Sequence, residues 1–446
     1  DVHPPLYLYM AAYWGKIFGY DEFGLRFLSI LFSEFTLFLT FLFTKNLLGN
    51  RTAFAAVTIL AFSPLFIMFG HYARYYALAA FLAVSVAYSS WLFATSRNFL
   101  PLLFYVISSI LFVYVLFAAV VVIAVSFVWW FVVWWQSGRR SALDVLIWIL
   151  AQLAILAAYI PGLNLLSNLL GRSSEIVQVS NWLVEFLKRS LYIDYVFGLG
   201  ETISPINPIA WIGGVVLLII AIVSLYRLRR NVMFWFPVLI ALAIVLVGIA
   251  MTVNAQVSIT WQNLPARAFY ALPFLSIWLG AGLAGLEPRY LRVAGLCILL
   301  TYAYGNFNYL TGREYLRPVF AVPWRGIFAE IQQQAKPDAL VVCGEGDTTC
   351  NYYSRLFGFE GYGYTNWTNL SSTKHSEVWW VQNNLSRPKS SEVEETTILD
   401  QLAKEYQSVT IKGYGEQDQG IRRIKEQFLG GGGYEFRTVV YRFYNP

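Results

Sequence analysis

Charge is what this 446-residue chain has least of: Asp, Glu, Lys and Arg make up 13% of it, about half the share of an ordinary soluble domain. Beside 57% hydrophobic and 18% aromatic residues, that deficit argues against a cytosolic enzyme and against disorder. Histidine and cysteine are scarcer still, at three each, and no metal-binding cysteine cluster exists. Cys297 lies in an apolar run and reads as packing. Cys343 and Cys350, seven apart, pair if their compartment is oxidising; two free thiols are the equal alternative. Neither GxGxxG nor GxxxxGK(S/T) occurs, and Gly430 to Gly433 reads as a turn, so no nucleotide cofactor is expected. The formal charge of +6 sits mostly in short loops between apolar runs, where membrane topology accounts for it without a nucleic-acid partner.

The shortage is uneven. Residues 1–308 carry 17 Lys+Arg and 10 Asp+Glu, whereas 309–446 carry 15 and 16. Two materials share the chain, an apolar body and a polar tail. A hydrocarbon core about 30 Å thick needs about 20 apolar residues per helix, and ten runs qualify: 23–44, 53–70, 75–95, 99–116, 118–136, 142–160, 209–226, 232–251, 268–286 and 290–308. The 38 residues of 99–136 hold no polar loop and are too long for one helix, so two tightly turned helices are expected. The reading is a polytopic α-helical membrane protein of about ten spans over 23–308, preceded by a loop, 1–22, and followed by a soluble α/β domain, 309–446.

Charge orients it. If 23–44 runs inward, the cytoplasmic turns hold Lys45, Arg51, Arg97, Arg139, Arg140, Arg227, Arg229, Arg230, Arg289 and Arg292. The opposite side receives Arg74, Arg172, Lys188, Arg189 and Arg267. Ten cations against five is a positive-inside bias. It places 1–22, the loop 161–208 and the tail outside the cytoplasm, in the plasma or cytoplasmic membrane, and predicts a further crossing before Asp1. After His3-Pro4-Pro5, the loop reads as a short amphipathic interfacial helix ending near Gly19. Ile176 to Leu191 reads as a second, with Ile176, Trp182, Leu183, Phe186 and Leu187 opposite Glu185, Lys188 and Arg189.

In the tail, helices are expected at 324–335, 347–357, 394–406 and 418–429. Strands are expected at 339–342, 377–381, 408–412 and 435–443, in a partly parallel sheet. Asn366, Asn369 and Asn384 each open an N-glycosylation triplet, which matters only in an organism that modifies them.

Costly polar groups collect on the outward side: Asp1 and His3, then Asp21, Glu22 and Arg26 at the mouth of the first span, then His71 and Arg74 among Tyr72, Tyr75 and Tyr76. Gln256, Trp261, Gln262 and Arg267 precede the ninth span, and the long loop adds Glu175, Glu185, Asp194 and Glu201. Such a cavity at the interface suits chemistry on a lipid-carried phosphate. A carboxylate takes the acceptor's proton, and Arg74 or Arg267 neutralises the leaving phosphate. The plain alternatives stand beside this. Arginines at span ends snorkel, Asp21-Glu22 caps a helix, and His71 anchors at the interface. Glu34, mid-span, has to be paired or protonated, as a packing contact or as part of the cavity wall. Carboxylates and His3 are candidates to hold Mg²⁺ or Mn²⁺, with Asp1 beside them.

These motifs, in order, carry a resemblance. His3-Pro4-Pro5-Leu6-Tyr7-Leu8-Tyr9 with Phe18-Gly19-x-Asp21-Glu22-Phe23-x-Leu25-Arg26-x-Leu28-Ser29 resembles the opening of the dolichyl-phosphate-mannose protein mannosyltransferase-like domain. Leu48-Gly49-Asn50-Arg51, Ser63-Pro64-Leu65, Ala73-Arg74-Tyr75-Tyr76-Ala77-Leu78, Pro265-Ala266-Arg267 and Tyr270-Ala271-Leu272-Pro273 resemble later stretches of it. The likeness covers roughly 1–308 and is strongest over 1–95. It implies a GT-C-like bundle with an extracytoplasmic α/β appendage. It also implies a polyprenyl-phosphate-linked sugar donor, a protein, lipid or glycan acceptor, and often a divalent metal.

Two departures matter. The family's main catalytic acid lies in the first outward loop, so the base is Asp1 or a carboxylate upstream of it. Many members have a mid-bundle histidine where this chain shows Phe112-Val113-Tyr114. On this reading Arg74 and Arg267 hold the phosphate, while His3, Asp21 or Glu22 shape the donor or metal site; Arg26, His71 and Tyr75 join them as substrate-binding candidates among the membrane lipids. A non-catalytic GT-C-like subunit binding lipid or protein is the rival. A transporter would show inverted repeats, which the sequence lacks.

Overall fold

The computed structural model describes residues 5–136, 138, 141–162, 181–253, 264–316, 322–343, 348–359, 361–363, 375–383, 389–414 and 438–445. Contacts divide the chain into two units, 1–200 with 208–306 and 201–207 with 307–446.

Each expected apolar run holds at least one helix, but of the ten expected spans six have a described helix long and apolar enough to cross a membrane, or seven if the bent pair over 50–70 counts as one. The helices are α1 (Leu6–Phe18), α2 (Glu22–Leu48), α3 (Asn50–Phe62), α4 (Pro64–Gly70), α5 (Tyr76–Ser96), α6 (Phe99–Val113) and α7 (Ala119–Gln136). They continue with α8 (Ala142–Tyr159), α9 (Trp182–Leu199), α10 (Pro208–Leu228), α11 (Val232–Val253), α12 (Leu272–Ala284) and α13 (Pro288–Thr311). Six of the described helices, α2, α5, α7, α8, α10 and α11, are long and apolar enough to cross a membrane. The chain is an integral membrane protein.

Three expectations need correction. The run 53–70 is not one straight span: α3 and α4 meet at Ser63-Pro64 with a bend of 63°. Proline lacks the N–H that would continue α3, so it starts a new helix instead. The run 268–286 begins with a short 3₁₀ turn, Phe269–Ala271, before the 13-residue α12. Glu34 is not a packing contact; it lies exposed on α2, because that helix buries its small residues instead.

Those small residues are Ser29, Ser33, Thr36, Thr40 and Thr44, which let neighbouring backbones come close. Ser33 Oγ donates to Gly70 O at 2.7 Å, joining α2 to the end of α4. α12 uses glycine in the same way: a Cβ on Gly280 would stand 2.6 Å from the backbone nitrogen of Ala56 in α3. α1 ends at Gly19, whose φ of 93° reverses the chain without a Cβ penalty.

The turns sort to two sides. Arg97 pairs with Asp144 at 2.6 Å, and Arg51 donates to Leu286 O at 3.3 Å, gathering the cation-rich turns at one end. At the other, Leu6 N–H donates to Tyr114 O at 3.2 Å and Tyr114 Oη to Ala158 O at 2.8 Å.

The second unit holds a five-stranded sheet of β1 (Leu340–Cys343), β2 (Gly361–Gly363), β3 (Glu377–Asn383), β4 (Ser408–Tyr414) and β5 (Thr438–Tyr444), in the order β2-β1-β3-β5-β4. β1 pairs parallel with β2 and β3, and β5 runs antiparallel between β3 and β4. This is the partly parallel sheet expected, with a three-residue β2 that the sequence pattern does not announce. Alternation splits the core: Val341, Trp379 and Val381 face α14 (Trp324–Gln334) and α15 (Thr348–Leu356), while Leu340, Val342, Val378 and Trp380 face α16 (Lys389–Glu405). Cys343 and Cys350 form a disulfide, deciding between the two alternatives. Glu377 is fully buried, paired with Arg442 and accepting from Lys336 N–H at 2.7 Å. The expected helix at 418–429 and the three glycosylation triplets lie outside the described residues.

Candidate functional site

The outward end of the bundle is organised by the turn 71–75 between α4 and α5. Two bonds hold it tight: Tyr72 N–H donates to Phe69 O and Arg74 N–H to Tyr72 O, at 3.3 and 2.6 Å. His71 Nδ1 donates to Ile67 O, one turn back on α4. The turn therefore presents His71, Arg74 and Tyr75 from a fixed backbone.

Other elements close on it. Arg26, exposed in the second turn of α2, is close enough to act on His71: burial first, and then the Arg26 charge, holds that imidazole below its ordinary value against the Ile67 bond. Arg74 is surrounded by phenols. Burial opposes its charge, but the Tyr76, Tyr72 and Tyr75 oxygens outweigh that and raise its pKa. Tyr75 is pushed up to about 12 by burial and by Tyr76, with Arg267 and Arg74 both pulling the other way. One phenol thus feels two guanidiniums whose positions are 193 residues apart in the sequence. At any ordinary pH Tyr75 keeps its proton, so the group is two guanidiniums and a hydrogen-bond donor. That set of groups can hold an oxyanion.

Arg267 closes a four-residue helical turn, Leu264–Arg267, in which Leu264, Pro265 and Ala266 are buried. α9 packs against this turn and against α4. Phe269, two residues on, stacks on Phe66 at 5.7 Å and meets Phe69 edge-on at 6.1 Å, fixing the Arg267 segment beside the 71–75 turn. Tyr270 donates weakly to Ala118 O at 3.5 Å and packs edge-on to Phe112.

The structure brings together Arg26, His71, Arg74, Tyr75 and Arg267. Asp21 has another occupation. Its carboxylate accepts from Gly24 N–H at 2.7 Å and caps α2, the plain alternative named above. Glu22, half-buried, opens the first turn of the same helix, where a negative charge suits the dipole. Glu185 is taken up on α9 by Lys188 and Arg189, at 3.2 and 3.3 Å; Arg189 is buried there rather than reaching for headgroups. Asp1, His3, Glu175, Gln256, Trp261 and Gln262 lie outside the described residues. Among the described residues no three His, Cys, Asp or Glu side chains gather to hold a metal.

One pair had no signal in the sequence. Tyr7 of α1 is buried, its hydroxyl 3.1 Å from Ser29 Oγ on α2, and Arg74 acts on it electrostatically. It fastens the interfacial helix beside the arginine. Only the fold places an α1 tyrosine next to a serine 22 residues away.

Comparison with known proteins agrees with this architecture. Residues 2–164 match the family profile described as dolichyl-phosphate-mannose-protein mannosyltransferase, a stretch that includes α1 to α8 and the 71–75 turn. No curated protein matches the chain. Among solved structures, ArnT from Cupriavidus metallidurans in the apo state aligns over 98% of this chain and 87% of its own, with 14% identity and a TM-score of 0.56. The same protein bound to undecaprenyl phosphate aligns over the same shares at 14% identity and 0.52. This chain has the GT-C fold. The bundle of a GT-C protein followed by a sheet-containing domain accounts for both units described above, and the arginine–tyrosine group lies in its outward turns.

Proposed function

We propose that this GT-C chain is a membrane glycosyltransferase that moves a sugar from a polyprenyl-phosphate-linked donor to a hydroxyl of a protein, lipid or glycan acceptor on the extracytoplasmic side. What supports the reading is that Arg74 and Arg267, far apart in sequence, both lie near enough to Tyr75 at the outward end to act on it electrostatically. In the transfer, the bond between the anomeric carbon and the phosphate oxygen breaks, and its electron pair leaves with the polyprenyl phosphate. The acceptor oxygen bonds to the same carbon and gives its proton to a carboxylate base. Arg74 and Arg267 stabilise the charge that builds on the departing phosphate, and the Tyr75 hydroxyl donates to it. The base is assigned to Asp1 or to a first-loop carboxylate upstream of it. Asp21 is not offered for that role, since its carboxylate is engaged as a cap.

Undecaprenyl phosphate bound to ArnT, which shares the fold, supports the choice of donor class. A divalent metal held by Asp1 and His3 belongs to the proposal, and no step above runs through it. α1 sits where a lipid tail would pass, with Tyr9, Tyr13 and Ile17 exposed along one side and its first turn held by Tyr7 and Leu6.

The test is transfer from radiolabelled polyprenyl-phosphate sugars by the reconstituted chain, with a native membrane extract as acceptor and with or without Mg²⁺ or Mn²⁺. Transfer from one donor, lost in Arg74→Ala and in Arg267→Ala, supports the proposal. Folded protein that neither transfers nor binds any donor contradicts it and favours the non-catalytic subunit.

A further inference from the structure

Arg74 is exposed at the outward end of the bundle, where an arginine bends toward lipid headgroups unless something holds it. Its backbone is fixed, since its N–H donates to Tyr72 O at 2.6 Å. The long side chain beyond needs a hold of its own if the guanidinium is to meet a ligand in one orientation.

Two buried tyrosines supply it. Tyr76, at the start of α5, packs its ring against Tyr75 at 4.8 Å and edge-on to Phe69 at 5.4 Å. Its hydroxyl is therefore a fixed point, and Arg74 hydrogen-bonds to it. The second is Tyr7 of α1, which the Arg74 charge reaches. Its hydroxyl lies 3.1 Å from Ser29 Oγ, and Ser29 is fully buried in α2. α1 is itself tied down along its length. Leu6 N–H donates to Tyr114 O at 3.2 Å, and Trp14 Nε1 donates to Gly24 O at 2.9 Å. The two phenols thus approach Arg74 from different helices. Both are hydroxyls, so they steady the guanidinium without cancelling its charge, as a carboxylate in the same place would.

We propose that Tyr76 and Tyr7 are positioning residues, which together hold the Arg74 guanidinium in the orientation that meets the donor phosphate. This role rests on the reading of Arg74 as a phosphate ligand. It gives α1 a second part in the site, because the helix beside the lipid's path then also sets one of the phosphate's ligands.

The experiment measures the affinity of the reconstituted chain for undecaprenyl phosphate. Tyr76→Phe and Tyr7→Phe each remove one oxygen and keep the ring, and both are made in the wild type and in Arg74→Ala. In the wild type each is expected to weaken binding roughly three- to tenfold. In Arg74→Ala each is expected to change it by less than about twofold, because the group they position is gone. A merely structural role would weaken binding in both backgrounds. Tyr20→Phe is the control on α1. It removes a hydroxyl that donates to Ala12 O at 2.8 Å, and affinity should stay at the wild-type value. Unchanged affinity in Tyr76→Phe or in Tyr7→Phe overturns the proposal. So does a loss that persists without Arg74, or an equal loss in Tyr20→Phe. If Arg74→Ala weakens binding while the phenylalanine variants do not, only the positioning role falls. If Arg74→Ala itself binds like wild type, the phosphate reading of Arg74 falls and the positioning role with it.

Discussion

Gly280→Ala tests how closely α3 and α12 approach each other inside the bundle. The added methyl would lie 2.6, 2.7 and 2.8 Å from the N, Cα and Cβ of Ala56. Ordinary contact begins near 3.4 Å, so α3 and α12 must part by about 0.8 Å, and two of the three atoms belong to backbone that no rotamer change can move. Overpacking of this kind costs about 1–3 kcal/mol, and a rigid obstacle puts the expected cost at the upper end. At about 2.7 kcal/mol the unfolding equilibrium shifts roughly a hundredfold. Gly295→Ala in α13 is the matched control. A Cβ there meets nothing within 4 Å, and alanine favours the helix by about 0.5–1 kcal/mol. Unfolding by SDS from bicelles, followed by tryptophan fluorescence, should place Gly280→Ala well below wild type and Gly295→Ala at or above it. Equal midpoints for Gly280→Ala and wild type would refute the close approach of α3 and α12.

Other outcomes follow from single residues. Asp21→Ala loses the α2 cap and is expected to cost about 1 kcal/mol in the same assay. Asp21→Asn keeps the cap and should leave stability and donor binding near wild type; loss of donor binding in Asp21→Asn would give Asp21 a direct role in the site. His71 has a lowered pKa in the folded chain, so the unfolded chain binds its proton more readily. Its contribution is present above about pH 6.5 and is lost as pH falls through the folded value. Wild type should therefore lose stability below pH 6.5 more steeply than His71→Gln, and parallel pH profiles would contradict that. In the sheet domain, Arg442→Ala leaves the buried Glu377 carboxylate with only the Lys336 N–H among the described residues, at a cost of about 3–5 kcal/mol. Hydrogen exchange in β3 and β5 should quicken roughly a hundredfold or more; unchanged rates would show that the pair is dispensable.

Much of this was legible in the sequence because hydrophobic length and charge act locally. Helices formed within all ten apolar runs, six of them long and apolar enough to cross a membrane by themselves, and the cation-rich turns cluster through Arg97–Asp144 and the Arg51–Leu286 contact. The bend at Ser63-Pro64 had a visible signal in the proline, which averaging over a span conceals. Glu34 misled because a mid-span charge is expected to turn inward, while on α2 the hydroxyl residues already occupy the inward side. Asp21 illustrates the opposite limit, since one carboxylate in an outward loop reads equally as cap or as site until its partner is seen. The meeting of Arg74 and Arg267 at Tyr75, and of Tyr7 with Ser29, could not be read from spacing. Those contacts exist only once α2, α4, α9 and the 264–271 segment have packed.

The central claim is that Arg74 and Arg267 hold one phosphate between them. Its most direct measurement is the affinity of the reconstituted chain for undecaprenyl phosphate in wild type, Arg74→Ala, Arg267→Ala and the double variant. Each charged hydrogen-bonding partner is worth about 1.5–3 kcal/mol, so each single change should weaken binding by roughly 10- to 150-fold. Two arginines on one phosphate should also couple, so that the double variant departs from the sum of the singles. Affinity unchanged by either single substitution would contradict the account, and strictly additive losses would place the two arginines on different groups.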